Sequence, residues 1–158
     1  MHKLISTLII SVGIFSCTSK DKTATDLYQE IEKNEVMVKN FNGHSIFKRG
    51  VFYVFDQEKA VYFVDDFEIN KDHQIKLVKS PRASKEKEEE IYLLLEFIVE
   101  HEIPTVNSYG EYIEFRTRSQ EVLVYFNDPD YMDKFKASEK SFKKIDKKWG
   151  HYLGKPLS

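Results

Sequence analysis

Five acidic residues are the side chains of this sequence best placed to do chemistry. Asp65 and Asp66 follow the aromatic strand pattern at 60–64, and Asp128 and Asp130 follow a second such pattern at 121–126. Glu114 lies in the alternating segment 111–116. Two carboxylates in one cleft can serve as general acid and general base in hydrolysis, for example of a glycan, and oxygen-rich loops can hold Ca²⁺. Acidic residues are also ordinary turn formers. The pattern therefore predicts either a paired-carboxylate site or simple turns.

Other catalytic signatures are missing from the sequence. Its glycines are isolated, so no phosphate-binding loop is encoded, and no serine has the glycine spacing of a nucleophile elbow. No pair at helical spacing occurs among the histidines beyond the first seventeen residues, which are His44, His73, His101 and His151. The neighbouring residues 100–102 (Glu-His-Glu) would project in different directions from a helix. We therefore predict a protein that is not an enzyme and needs neither a metal nor a cofactor.

Aromatic residues are enriched, with 12 Phe, 9 Tyr and 1 Trp. Most of them follow strand patterns and are expected in the core. Five lie at predicted strand ends or in loops, where aromatic rings can form a platform for a sugar or a protein partner: Tyr109, Tyr112, Tyr131, Trp149 and Tyr152. A place in the core is the stronger expectation for Trp149. These five residues are the predicted binding surface.

The elements that must position these residues begin with a short helix, predicted from Thr25 or Asp26 to about Asn34, with Leu27 and Ile31 on one face. Period-two patterns then predict short strands at 36–38, 45–47, 51–55, 60–64 and 74–79. The two aromatic runs at 51–55 and 60–64 make the clearest hairpin. An antiparallel meander accounts for this half of the chain.

A second helix is predicted to start at Ser84 and to stop before Ile103-Pro104, with an apolar stripe at helical spacing. Strands follow at 111–116 and 121–126, then a loop or short helix at 131–140, and a helix or, preferably, an edge strand at 141–153. The expected fold is α+β: an antiparallel meander sheet with one long core helix and one short N-terminal helix packed on it. Each half reads as a helix followed by a hairpin, which indicates either an old duplication or chance similarity.

The first seventeen residues, MHKLISTLIISVGIFSC, combine a basic start with an apolar run too short to span a bilayer. The segment Ile14-Phe15-Ser16-Cys17 resembles the lipobox of bacterial lipoprotein precursors. The resemblance implies that the signal, residues 1–16, is removed and that Cys17 is lipidated and becomes the new N-terminus. Residues 17–25 would then be the lipidated cysteine and tether, and residues 26–158 a single domain. A signal removed entirely from a secreted protein is the alternative.

Charge and cysteine content limit the functions that the chain can have. The formal charge is −2, and loss of Lys3 with the leader leaves 23 basic and 26 acidic residues, a net charge of −3. Such acidity disfavours a nucleic-acid partner. With Cys17 as the only cysteine, no disulfide forms within a monomer.

These observations predict a protein of the cell envelope, facing outward from the cytoplasm and bound to the membrane through its lipid. In a host with two membranes it would lie at the outer membrane, in the periplasm. We expect a non-catalytic module that binds a protein partner, as an assembly accessory or an immunity-type inhibitor. A small hydrolase, or a glycan-binding or glycan-acting protein, that uses strand-end carboxylates and aromatic rings is the alternative.

Overall fold

The structure, a computed structural model, describes residues 21–50, 52–57, 60–65 and 82–155. Cys17, Asp66 and the strand predicted at 74–79 lie outside the described residues. The helices are α1 (Ala24–Ile31), α2 (Glu35–Lys39, after one 3₁₀ turn), α3 (Lys85–Glu100) and α4 (Tyr131–Ser138). The strands are β1 (His44–Arg49), β2 (Phe52–Gln57), β3 (Ala60–Asp65), β4 (Thr105–Ser108), β5 (Tyr112–Arg116), β6 (Glu121–Phe126), β7 (Lys143–Lys144) and β8 (Trp149–Leu153).

The strands form one sheet in the order β3-β2-β1-β4-β5-β6-β8-β7, and every neighbouring pair is antiparallel. The predicted α+β class and antiparallel sheet are confirmed. The sheet is not a single meander, however, because the chain returns through α3 from β3 to the middle of the sheet, where Ile46 of β1 lies opposite Val106 of β4. Two three-stranded meanders, each preceded by helix, meet at this β1–β4 seam.

The strand predicted at residues 36–38 is wrong, because this segment belongs to α2. A strand would place Val36 and Val38 on the same face. In the structure Val36 is 79% exposed and Val38 is fully buried, as expected where residues two apart project from different sides of a helix. The run of three apolar residues is too short to show which period it follows.

The first helix starts earlier than predicted, because Thr23 is its N-cap. The Thr23 hydroxyl accepts a hydrogen bond from the Asp26 N–H, and the Asp26 carboxylate accepts one from the Thr23 N–H, which is a capping box. The Ser119 hydroxyl also donates to the Lys22 carbonyl at 3.0 Å. Residues 22–25, which we assigned to the tether, are therefore part of the folded domain.

In the last third of the chain, both open alternatives are decided. Residues 131–138 form the short helix α4, and the preferred strand assignment for 141–153 is confirmed by β7 and β8. The two-residue strand β7 is the outer one, and its residues Lys143 and Lys144 are exposed. Charged side chains at such an edge discourage pairing with another chain.

The sheet has two covered surfaces. On one surface, the helix face, side chains of α1 and α3 join a core cluster with sheet residues that include Ile46, Phe55, Val106, Phe115 and Leu123. On the other surface, the α4 face, a smaller cluster is formed by Val122, Val124, Phe126, Met132, Phe135 and Phe142. Within the described residues no helix is long and apolar enough to cross a membrane.

Candidate functional site

The candidate site lies on the α4 face of strand β5. Alternation along β5 directs Ile113 and Phe115 into the core of the helix face, so Tyr112, Glu114 and Arg116 lie on the α4 face. Glu114 is only 4% exposed. A carboxylate in the middle of a sheet is unusual, since charged side chains are rarely buried without a partner.

The two oxygens of Glu114 have different surroundings. Oε1 accepts a hydrogen bond of 2.7 Å from the Tyr152 hydroxyl. Oε2 is buried and accepts no hydrogen bond from the described residues; the Arg116 Nη2 atom, 3.7 Å away, is within ion-pair distance but beyond hydrogen-bond distance. One of the two carboxylate oxygens of Glu114 is therefore buried without a hydrogen-bond donor among the described residues.

Burial is the largest cause of the pKa shifts of Glu114, Tyr112 and Tyr152. It raises the pKa of Glu114 above its ordinary value, although the Tyr152 hydroxyl, the Arg116 guanidinium and the Tyr109 side chain all favour the ionised form. Burial, followed by the nearby charge of Glu114, raises the pKa of Tyr112 to about 12. Burial and the hydrogen bond to Glu114 raise the pKa of Tyr152 well above its usual value. Both phenols are protonated at neutral pH, so Tyr152 remains a hydrogen-bond donor.

Four of the five aromatic residues predicted as a binding surface lie together beside Glu114. The ring of Tyr112 stacks on Tyr109 at a centroid distance of 4.8 Å and on Tyr131 at 5.7 Å. Phe135 of α4 contacts Tyr112 at 5.0 Å and Tyr152 at 5.7 Å. We call Tyr109, Tyr112, Tyr131 and Tyr152 the tyrosine cluster. Tyr109, at 49% exposure, is its most accessible large ring.

The turn that carries Tyr109 is held in place by polar contacts. The Tyr109 N–H donates to the Tyr112 carbonyl at 2.9 Å, and Gly110 between them has a φ of +85°. Asn127, just after β6, donates through Nδ2 to the Gly110 carbonyl at 2.7 Å and to Asn42 Oδ1 at 3.2 Å. These bonds fix the turn on both sides, so the exposed ring of Tyr109 is presented from a supported position.

Trp149 lies apart from the tyrosine cluster. It is 4% exposed and belongs to the core of the helix face, where its ring contacts Tyr125 at 4.9 Å and Tyr28 at 5.8 Å. The expectation of a core position for Trp149 is confirmed. Alternation within β8 separates it from Tyr152, which pairs with Val122 and faces α4.

The strand-end carboxylates do not come together. Asp65 ends β3 and Asp128 follows β6, and these two strands are five positions apart in the sheet, about 24 Å. They also run in opposite directions, so their ends lie at opposite ends of the sheet. Asp128 instead accepts a hydrogen bond of 3.0 Å from the Asp130 N–H. This contact supports the turn interpretation for Asp128 and Asp130.

Arg116 and Phe135 belong to the site but were not singled out in the sequence. The alternation of β5 could have placed Arg116 beside Glu114. Phe135 could not be assigned, because the sequence left residues 131–140 as either loop or helix. Among the described residues, no group of three His, Cys, Asp or Glu side chains is arranged to hold a metal ion.

Two clefts of the described structure lie elsewhere. One, of about 390 Å³, is lined by Asn40, which follows α2, and by α3 residues that include Glu90 and Leu93. The other, of about 240 Å³, is lined by residues that include Lys48, Ile98 and Arg118. Glu114 lines neither of these two clefts. Its carboxylate is buried and accepts a hydrogen bond from Tyr152, so it supports the tyrosine cluster. No protein-family model, curated protein sequence or solved structure matches this chain.

Proposed function

We propose that this chain is a lipid-anchored, non-catalytic binding module of a bacterial cell envelope. Cys17 carries the lipid, and the outer edge of the tyrosine cluster recognises a protein partner. The observation that carries the binding role is the stacked set Tyr109–Tyr112–Tyr131, whose outer ring is half exposed at a turn held by Asn127. Tyrosine is enriched at protein interfaces because its ring buries apolar area and its hydroxyl keeps a polar contact.

Rigidity supports this role. A recognition surface loses less conformational entropy on binding when its side chains are ordered beforehand. The Glu114–Tyr152 hydrogen bond and the contacts of Phe135 order the tyrosine cluster from beneath. On this proposal α3 is the long core helix, and with α1 it forms the scaffold on the opposite face of the sheet.

A catalytic role has weaker support. A general acid or base must reach the proton it transfers, whereas Oε2 of Glu114 is buried beneath the cluster. We keep a glycan as the second candidate ligand, since the exposed face of Tyr109 suits stacking on a sugar ring. The protein partner is preferred, and in a host with two membranes we place the module at the outer membrane, facing the periplasm. Its role there is that of an assembly accessory or an immunity-type inhibitor.

The binding proposal is tested by Tyr109→Ala. Full-length lipidated protein, affinity-tagged at its C-terminus, is purified from detergent-solubilised envelope, and the proteins recovered with it are quantified. If Tyr109 is a central contact, we expect at least about a 30-fold loss of affinity for the recovered partner, equivalent to about 2 kcal/mol. The matched control is Leu93→Ala, because Leu93 is 52% exposed, close to the 49% of Tyr109, but lies on α3.

Equal recovery of the same partner with wild type and Tyr109→Ala would contradict this binding surface. A wild-type protein that recovers no partner protein but binds envelope glycans through Tyr109 would favour the second candidate.

The anchor is tested by Cys17→Ser, which removes the only thiol of the chain. Stable anchoring needs more than one acyl chain, and lipidation of the cysteine supplies them. We expect the variant to move from the membrane fraction to the soluble fraction, measured by immunoblot after ultracentrifugation in high salt, which screens electrostatic attraction to lipid headgroups. A variant that stays with the membrane would refute lipidation at Cys17. Ser16→Ala is the control, since it keeps the cysteine.

A further inference from the structure

The C-terminal part of the domain carries a positive charge that the rest of the chain outweighs. Residues 131–155 contain eight lysines and three acidic residues, a net charge of +5 in a chain whose formal charge is −2. Seven of these lysine side chains are exposed. Only the eighth, Lys148, forms an ion pair within the described residues, with Glu35 at 2.6 Å.

Two of the three acidic residues of this segment are engaged by backbone and hydroxyl groups. Glu139 Oε1 accepts hydrogen bonds from the Ser141 hydroxyl at 2.7 Å and from its N–H at 3.0 Å. Asp146 Oδ1 accepts from the N–H groups of Lys148 and Trp149, at 2.7 and 2.8 Å. The exposed lysines therefore keep their charge available for an external anion.

Part of this charge lies where the N-terminal segment leaves the domain. The β5–β6 turn contacts both the N-terminal and the C-terminal segment of the domain. The Ser119 hydroxyl donates to the Lys22 carbonyl, and the Gly154 N–H donates to the Gln120 carbonyl at 2.8 Å. Lys155 follows Gly154 directly. The Leu153 N–H donates to the Ser141 hydroxyl at 3.3 Å, which brings Lys140 to the same region. We call Lys22, Lys140, Leu153 and Lys155 the tether end.

The reach of the tether brings this end close to a bilayer. Lys22 lies five positions after Cys17, so even a fully extended chain between them spans at most about 18 Å. Electrostatic attraction to anionic lipids falls off over a Debye length, about 8 Å at physiological salt. Leu153, which is 63% exposed, adds an apolar side chain beside the lysines.

We propose that the tether end of the domain binds anionic phospholipid headgroups through Lys140 and Lys155, with Leu153 at the lipid interface. This inference rests on the proposed lipid at Cys17. Strand β5 joins the turn that bears Tyr109 to the turn that holds Lys22, so the two turns lie at opposite ends of that strand. Membrane binding at the tether end therefore points Tyr109 away from the bilayer, toward a partner.

A bilayer fits this surface better than an acidic protein. The attachment at Cys17 holds lipid headgroups beside the tether end at all times, whereas a protein must be recruited. Glu30 at this end does not oppose such binding, because it is paired with Lys22 at 2.8 Å and His101 at 3.2 Å.

The test uses the domain without its lipid, as residues 21–158, because the sheet and both buried clusters are formed within residues 21–155. Binding is measured by co-sedimentation with vesicles of phosphatidylcholine alone, or of equal parts phosphatidylcholine and phosphatidylglycerol. We expect binding only to the anionic vesicles, with weakening as salt is raised. The variant Lys140→Gln/Lys155→Gln should lose about 25-fold in affinity, about fivefold for each lysine.

The control is Lys33→Gln/Lys85→Gln, which makes the same charge change elsewhere. Lys85 starts α3, and the carbonyl of His101, the C-cap of this helix, accepts a hydrogen bond from the Lys22 side chain. Lys85 is therefore about 24 Å from the tether end, the length of this 16-residue helix. Circular dichroism spectra that match wild type establish that both variants are folded.

Absence of wild-type binding to the anionic vesicles would overturn the proposal, as would equal losses in the two variants. The proposal would also be overturned if the domain did not bind vesicles but bound an acidic protein through Lys140 and Lys155. The surface would then be assigned to that partner. The mass of the N-terminal peptide of the full-length protein tests the lipid separately. Vesicle binding with an unmodified Cys17 would refute the anchor alone.

Discussion

At the scale of single residues, Glu114 carries the clearest physical consequence. Burial raises the pKa of its carboxyl group above the ordinary value, so the folded protein binds this proton more tightly than the unfolded chain does. Stability contributed by such an acid is present below its unfolded pKa and is lost as pH rises through its folded pKa. In the folded protein, the ionised form of the Glu114 carboxyl group is therefore less favourable than in the unfolded chain.

We therefore expect Glu114→Gln to become more stable relative to wild type as pH rises from 4 to 7. The glutamine oxygen can still accept the hydrogen bond that Tyr152 donates at 2.7 Å. Urea unfolding at each pH, followed by circular dichroism, measures the difference in unfolding free energy. The exposed Glu88 provides the control Glu88→Gln. A difference between Glu114→Gln and wild type that does not change with pH would contradict the electrostatic account.

At the scale of elements, α1 depends on its N-terminal cap. The Thr23 side chain and the Asp26 carboxylate satisfy each other's N–H groups. The helix is only eight residues long, so packing and capping must stabilise it. Leu27 and Ile31 bury its inner face, and the Ala24 N–H donates to Glu121 Oε2 at 2.7 Å. The cap therefore helps to attach the tether end to the sheet.

Thr23→Ala should lower the unfolding free energy by about 1 kcal/mol, since it removes the side-chain acceptor of the capping box. Thr25→Ala is the matched control, because Thr25 is exposed one position inside the helix, where alanine is favoured. Thermal or urea unfolding of the two variants measures the effect. Equal destabilisation by the two substitutions would show that the cap contributes nothing specific.

At the scale of the whole molecule, the β1–β4 seam joins two similar halves into one core. Each half begins with helix followed by a three-stranded meander, and the second half continues with α4, β7 and β8. The halves meet where Ile46 lies opposite Val106. The buried cluster of the helix face runs without interruption from α1 to Trp149. Continuous packing of this kind favours cooperative, two-state unfolding.

Ile46→Ala should therefore destabilise both halves together, by about 2–5 kcal/mol. Ile46 belongs to the first half, whereas Trp149, the only tryptophan, reports on the second. We expect the fluorescence transition of Trp149 in urea to shift as far as the transition followed by circular dichroism. The exposed Val36→Ala is the control. A tryptophan transition that does not move would indicate two independent halves.

Much of the local structure follows from the sequence alone. Ser84 was predicted to open the long helix, and its side chain accepts from the Lys87 N–H as the N-cap of α3. The aromatic hairpin at 51–64 was also predicted, and β2 and β3 form it. Period, capping residues and β-branched content are local properties, so the sequence displays them directly. At 36–38 the apolar run is only three residues long, and the strand predicted there is wrong because the segment belongs to α2.

The assembly of the site was decided by tertiary structure. The sequence predicts that Tyr109, Tyr112 and Tyr131 lie at strand ends or in loops, but their stacking depends on which strands become neighbours. The same sheet order separates Asp65 from Asp128 and places Glu114 beneath Tyr152. Strand order is set by contacts between residues far apart in the chain, and burial by what covers them. Neither is encoded in local spacing.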